Sequence, residues 1–440
     1  MKQLLIVFFI LGFTASEGLA QFINGRLVTS AYSWQTQLGD ENSSTRFRAA
    51  ETIQLDIGKN DLVLHTYFQG SNDFGSSSLT DNPKLSSNDF GSSVTDDPKL
   101  RFYNLYIEKK KLFDILDIKV GRIPVFAGIG TGAIDGIGLK LRPMSGKIFA
   151  NAHVGGLTPP DQSLSIISDI GKNYLAKFQV GTNFIPNTSL SVGYLMKSMK
   201  AQDFTALRTD TMFNTYEVLI ENSPELEQYV SIDISSYYGP VSVYGKTEIN
   251  SRLQRAEIMA EISVLPTLGF SLDYLYREPR TAYNSIFAVF TQKNTNEIAG
   301  GLNYILLNKY KLYARYSFVK YNDDNASRLT IGMNSEYGAL SYIKNFGYVG
   351  DMDIISADLM YPILNKKLYI HGGVSLMTLK YEQEDKSSNA TALVLGGNFR
   401  PSSSISCDLQ GQFLVNKVYK NDFRIYLKFG YSFLSKLNIL

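Results

Sequence analysis

Charged side chains recur at intervals of two in this 440-residue chain: Lys246 and Glu248, Arg255 and Glu257, then Glu261. Asp273, Arg315, Asp408, Arg424 and Lys428 extend the series. On an extended backbone successive side chains point to opposite faces, so this spacing gathers such groups on one surface. The chemistry it supports is electrostatic, since opposed rows of cations and anions set a field across an aqueous passage. Histidine is the other reactive type. His65 lies near Tyr67 and Gln69, and His371 near Tyr369 and Ser375, where an imidazole can orient a serine. No GxSxG elbow, SDN triplet or Walker motif accompanies them, and a solvated histidine on a polar face accounts for each. With His153 the histidines number three, too dispersed for HExxH, and one cysteine rules out an intrachain disulfide or a cysteine-pair zinc site. Arg122, after Gly121, reads either as a cation at a passage mouth or as a surface arginine.

The elements that must position these residues are strands. Phe423, Ile425, Leu427, Phe429, Tyr431 and Phe433 alternate with Arg424, Tyr426, Lys428, Gly430 and Ser432. Ala256 to Val264 and Leu368 to Leu376 show the same period of two, as do Leu312 to Phe318 and Ile405 to Val415. Apolar residues do not return at three- and four-residue spacing, so helical templates fail. The 28 Tyr and 26 Phe against a single Trp point the same way. With 43 Lys+Arg against 41 Asp+Glu, binding nucleic acid by bulk charge is excluded.

A soluble sandwich also alternates, but its strands average about five or six residues. The runs here are as long as the ~9–11 residues that a tilted strand needs to cross a bilayer. Aromatic residues sit towards the ends of apolar faces, at Tyr274 and Tyr276, Tyr316 and Phe318, and Tyr431 and Phe433. Connections alternate between tight turns, such as Gly239-Pro240 and Leu307 to Lys309, and longer polar links at 70–99, 157–172, 199–225, 277–296 and 382–389. At the N-terminus Lys2 precedes an apolar run, Leu4 to Phe13, and small residues to Ala20; residues 1–20 therefore read as a cleaved secretory signal. No later stretch has the ~18 apolar residues of a membrane helix.

Together these features resemble bacterial outer-membrane β-barrel proteins of the porin-like kind. The most family-like stretch runs from Leu105 through Val120-Gly121-Arg122-Ile123-Pro124 to Gly136 and Leu141. Phe429, Tyr431 and Phe433 are similar to the closing insertion signal of such barrels, although this chain ends on Leu440 rather than an aromatic residue. The resemblance implies an all-β, antiparallel, up-and-down transmembrane barrel over residues 21–440. Roughly 18 to 22 strands are expected, with short periplasmic turns, long outer loops and both ends on the periplasmic side. It implies export through the Sec pathway and residence in the cell outer membrane. The implied partners are outer-membrane lipid and lipopolysaccharide, the barrel-assembly machinery (through the C-terminal strand) and small hydrophilic solutes.

At that strand number the lumen is wider than side chains can fill. A plug ahead of the first strand is not expected, which leaves loops to narrow the passage. Ser71 to Ser77 recurs as Ser87 to Ser93, and Thr80 to Leu85 nearly recurs as Thr95 to Leu100; this duplication reads as a polar loop over 71–100, pore-narrowing, an exposed binding loop, or simply tolerated at a loop tip. The Gly-rich stretch Gly128 to Gly138 reads as a flexible outer loop or constriction, because it lacks the GxGxxG pattern and a following helix. By parity the pore-lining candidates are Lys246, Glu248, Arg255, Glu257, Asp273, Arg315, Asp408, Arg424 and Lys428, with Glu261, Arg277, Arg328, Lys344, Asp358 and Arg400 beside them; Arg122 joins them as the cation at the passage mouth. The expected function is passive or weakly selective diffusion of small hydrophilic solutes, with no catalysis, cofactor or metal. The alternative is a non-conducting barrel whose loops bind a partner or matrix.

Overall fold

In hydrocarbon every unpaired backbone N–H or C=O costs several kcal/mol, so strands that cross it must close on themselves. The computed structural model describes residues 22–38, 42–77, 99–126, 132–166, 169–200, 203–209, 215–279, 293–322, 324–347, 350–380, 387–417 and 419–436. The signal segment, the last four residues and most of the duplicated loop lie outside these ranges.

The chain begins with β1 (Phe22–Leu38), β2 (Asn42–Lys59), β3 (Leu62–Ser77), β4 (Lys99–Leu112) and β5 (Leu116–Val125). It continues through β6 (Gly132–Leu141), β7 (Ile148–Leu157), β8 (Tyr174–Thr182) and β9 (Thr188–Met199). A separate hairpin follows, β10 (Phe204–Thr209) and β11 (Thr215–Ile220). Next come β12 (Glu225–Tyr238), β13 (Val241–Ile249), β14 (Leu253–Leu265), β15 (Leu268–Arg277), β16 (Thr295–Leu306) and β17 (Tyr310–Tyr321). The last are β18 (Asp324–Asn334), β19 (Gly338–Gly347), β20 (Asp351–Ile363), β21 (Leu368–Lys380), β22 (Ser388–Phe399), β23 (Ile405–Val415) and β24 (Tyr419–Lys436).

Apart from the hairpin, each strand pairs antiparallel with the next, and β9 pairs with β12, giving a 22-stranded sheet. Antiparallel pairing of β1 with β24, from Phe22↔Lys436 to Leu38↔Tyr419, closes the ring. Closure leaves no sheet edge to desolvate.

One end of the cylinder carries tight turns, several built on left-handed residues that asparagine and glycine tolerate: Asn60, Asn187, Gly239, Asn308 and Asn365. Phe22 and Lys436 lie at this same end. The other end carries the longer links at 77–99, 125–132, 157–174, 199–225, 277–295 and 380–388, interspersed with short connections at 38–42, 249–253, 321–324, 347–351 and 415–419.

Apolar and polar faces separate as the period demands. Ile107, Val120, Ile137 and Val154 follow one another across β4 to β7, each about half exposed. On the opposite face of the same strands lie Glu108, Lys119 and His153. An exposed apolar belt beside an ionic inner face is stable only with lipid outside and water within.

Three expectations are corrected. The polar link expected from Gly70 starts later, because β3 runs on to Ser77 and Ser71 to Ser77 pair with β2. The link at 199–225 holds the β10–β11 hairpin. Most of the Gly-rich stretch is strand rather than loop, since β6 begins at Gly132 and pairs with both neighbours. Its glycines serve close approach: a Cβ on Gly136 would stand 2.6 Å from the Gly155 Cα of β7, and one on Gly155 2.8 Å from the Gly136 Cα. Gly121, at φ +128°, lies in the same cross-strand row, where a side chain would run into the backbone of Leu105 and Tyr106.

Candidate functional site in the lumen wall

Cross-strand register builds the inner wall. Asp233 of β12 faces Lys246 of β13, which faces Glu257 of β14; Glu248 faces Arg255. Lys246 Nζ lies 2.9 Å from Glu248 Oε1, both groups largely buried, and Arg255 is paired with Glu257. Farther round, Arg315 Nη1 lies 2.8 Å from Asp273 Oδ2. Opposite signs thus neighbour each other within and between strands, and the pairs offset the desolvation that either ion would suffer alone.

On β2 to β5 the same logic ties up a histidine. His65 Nδ1 is 2.7 Å from Asp56 and Nε2 is 3.1 Å from Glu108, with the ring stacked on Tyr106 at 4.7 Å. Lys110 and Lys119 each approach Glu108 to 3.5 Å, and Lys119 Nζ lies 5.2 Å from the Tyr106 ring centre. Both imidazole nitrogens are engaged by carboxylates, so His65 holds the wall together and orients no serine. The His371 ring lies over Gly396, where an added Cβ would stand 2.5 Å from it. Among the described residues no group of three His, Cys, Asp or Glu side chains is placed to hold a metal.

Arg122 is neither a free cation at the mouth nor a surface residue: it is 4% exposed. It donates twice to Asp135, each bond 2.8 Å, and bonds the carbonyls of Phe102, Gln162, Ser163 and Ser165. The reason is topological. The β4–β5 ladder stops at Leu105↔Arg122, and above it the Phe102 N–H bonds Gln162 O instead. Segment 162–165 therefore takes the place of β5 beside upper β4, and the guanidinium satisfies the carbonyls at that junction.

Asp408 accepts from Asn398 and faces Lys428 of β24. Arg424 reaches the fully buried Asp422, at 2.6 Å. Two parity expectations fail. Lys344 shares the outward face with Leu340 and Tyr342, bonding Asp353 at 3.3 Å, because a turn set the phase of β19. Arg400 belongs to the β22–β23 turn, its N–H bonded to Lys367 O.

Sequence reasoning passed over Lys177 and gave His153 no role. They are partners in the β7–β8 ladder, on the inner face. Parity of Leu175, Lys177 and Gln179 was the available signal, masked by apolar residues on both faces of β8. At the open end, outside the wall, Lys200 Nζ bonds Asp203 at 2.8 Å and the Asn222 N–H bonds it at 2.7 Å. These bonds, the lysine's first, hold the Asp203 carboxyl below its usual range.

No protein-family model matches the chain, and no curated protein does. Solved structures share its fold. The P pilus usher (PapC) translocation pore is 8% identical, with 94% of this chain and 99% of that chain covered and a TM-score of 0.47. A BenF-like porin from Pseudomonas fluorescens Pf-5 is 8% identical, with 95% and 100% covered and a TM-score of 0.41. OccAB3 of Acinetobacter baumannii is 10% identical, with 94% and 99% covered and a TM-score of 0.40. At such identities and TM-scores the likeness adds nothing beyond the closed antiparallel barrel already described.

Proposed function

We propose that this protein is an outer-membrane channel through which small hydrophilic solutes diffuse, its wall weakly selective by charge. The observation that carries the reading is a closed 22-strand ring, greasy outside and ionic within. At that strand number water, not side chains, fills the middle. Lys246, Glu248, Arg255, Glu257, Asp273, Arg315, Asp408, Arg424 and Lys428 line the passage on this reading, and their alternating signs favour neither ion class strongly. Arg122 fixes the inserted segment rather than meeting solute. Residues 1–20 act as the Sec export signal, and the C-terminal strand is the part the barrel-assembly machinery grips. The apolar belt meets lipid and lipopolysaccharide.

Conductance of the refolded chain in a planar bilayer tests the proposal. Large, stable current steps are expected. A silent barrel that is folded by circular dichroism overturns it in favour of a non-conducting anchor.

A further inference from the structure

Most inner-wall cations described above have a carboxylate within ion-pair distance; Lys177 does not. Its residue is 4% exposed, and its Nζ is buried with no hydrogen-bond partner among the described residues. The register partner, His153, likewise has a buried Nδ1 without a partner among them. Two unpartnered nitrogens on one cross-strand pair are unusual, because an unmade buried hydrogen bond costs its group the full loss of water.

The surroundings narrow what can complete the pair. Lys119, Gly138, His153 and Lys177 follow one another across β5 to β8. The His153 ring leans over Gly138, where an added Cβ would stand 3.2 Å from it. The charges within electrostatic reach are Lys177 itself and then Lys119 for His153, and Lys246 and Asp233 for Lys177. Lys119 is already matched by Glu108 and Lys246 by Glu248. Asp233 makes its hydrogen bond to Ser231, not to Lys177. Leu175, two residues away, and Leu195, opposite, are closed off from solvent. A water molecule accepts hydrogen bonds but brings no charge to set against the ammonium. A phosphate or sulfate carries more charge, and sheds more hydration, than one unmatched cation offsets.

We propose that Lys177 and His153 form a binding site, within the barrel wall, for a small singly charged inorganic anion of the halide kind. The ammonium and the Nδ1–H both donate to it, and it pins β7 to β8 at mid-wall. This stands apart from conduction, because a binder of the folded state raises stability whether or not the barrel passes current.

The experiment uses the full processed chain refolded in detergent micelles. Its thermal unfolding midpoint is measured in sodium chloride, sodium bromide and sodium gluconate at one ionic strength. Chloride and bromide are expected to raise the midpoint by several degrees over gluconate. Lys177→Met should abolish that difference, and Lys367→Met, at a turn, should keep it. Equal wild-type midpoints in the three salts overturn the proposal, as does a halide effect that survives in Lys177→Met. Should that variant not fold, bromide anomalous diffraction from wild-type crystals decides. A peak between Lys177 and His153 supports the site, and none there overturns it.

Discussion

Two arcs of the inner wall follow the same period of two and differ in kind. From β4 to β14 the wall carries ion pairs, Glu108 with Lys119, Lys246 with Glu248 and Arg255 with Glu257, beside a buried apolar patch of Ile123, Val125, Ile134, Leu175, Leu195 and Tyr229. From β20 to β23 it is mostly hydroxyl, amide and glycine. Ser356 and Ser375 bond at 2.9 Å, Asp358 faces Gly373, His371 faces Gly396, and Gln410 and Gln412 follow on β23. Alternation alone demands only that one face tolerate water. Whether that face carries a field depends on which partners register sets side by side, so the two arcs teach that polarity and electrostatics are separately specified. A solute on our reading meets paired charges along one arc and mainly neutral hydrogen-bonding groups along the other, with Asp358 and Asp408 set among them.

The largest effect is expected at Arg122, which shares its face of β5 with Val120 and so lies outside both inner-wall arcs. Arg122→Ala strips the part-exposed Asp135 and the carbonyls of Phe102, Gln162, Ser163 and Ser165 of their donor, a loss on the order of 3 kcal/mol. Urea unfolding in micelles should show it, and Arg122→Lys should recover only part, because an ammonium cannot make the forked bond. Next is Glu248→Gln, which strands Lys246 in a largely buried pair; about 3 kcal/mol is expected, at the low end for a wall that borders water. The same substitution should turn the reversal potential under a salt gradient towards anions.

Ser375→Ala on the neutral arc should cost only about 0.5–1.5 kcal/mol and leave the reversal potential unmoved. Equal shifts in potential from Glu248→Gln and Ser375→Ala would dissolve the distinction between the arcs. The smallest effect lies outside both. The Asp203 carboxyl is depressed by its bonds from Lys200 and Asn222, so its contribution is complete above the ordinary carboxylate range and is lost as pH falls through the depressed value. Proteolytic cleavage within 203–220 should stay constant from pH 7 to 5 and rise only below roughly pH 4.

Much of this was legible in order along the chain. Lys246, Glu248, Arg255 and Glu257 can be assigned to the wet face by counting in twos, because a strand has no other way to place neighbours. Lys344 shows the limit, since one turn of unknown length resets the phase of β19 and moves its lysine outward. The Gly128 to Gly138 stretch shows another. Glycine reads as flexibility in one dimension, whereas Gly136 and Gly155 pack backbone against backbone. Arg122 could not be read at all, for its partners lie up to 43 residues away, on a segment that replaces a strand.

What the amino-acid order determined by itself is therefore the two-faced strand, since side-chain direction follows from local backbone geometry alone. What only the tertiary structure decided is adjacency across strands. Ring closure, stagger and the choice of neighbour bring His65 between two carboxylates and Lys177 beside His153. Those contacts join residues distant in the chain, and their energies depend on separation in space, which no local pattern encodes.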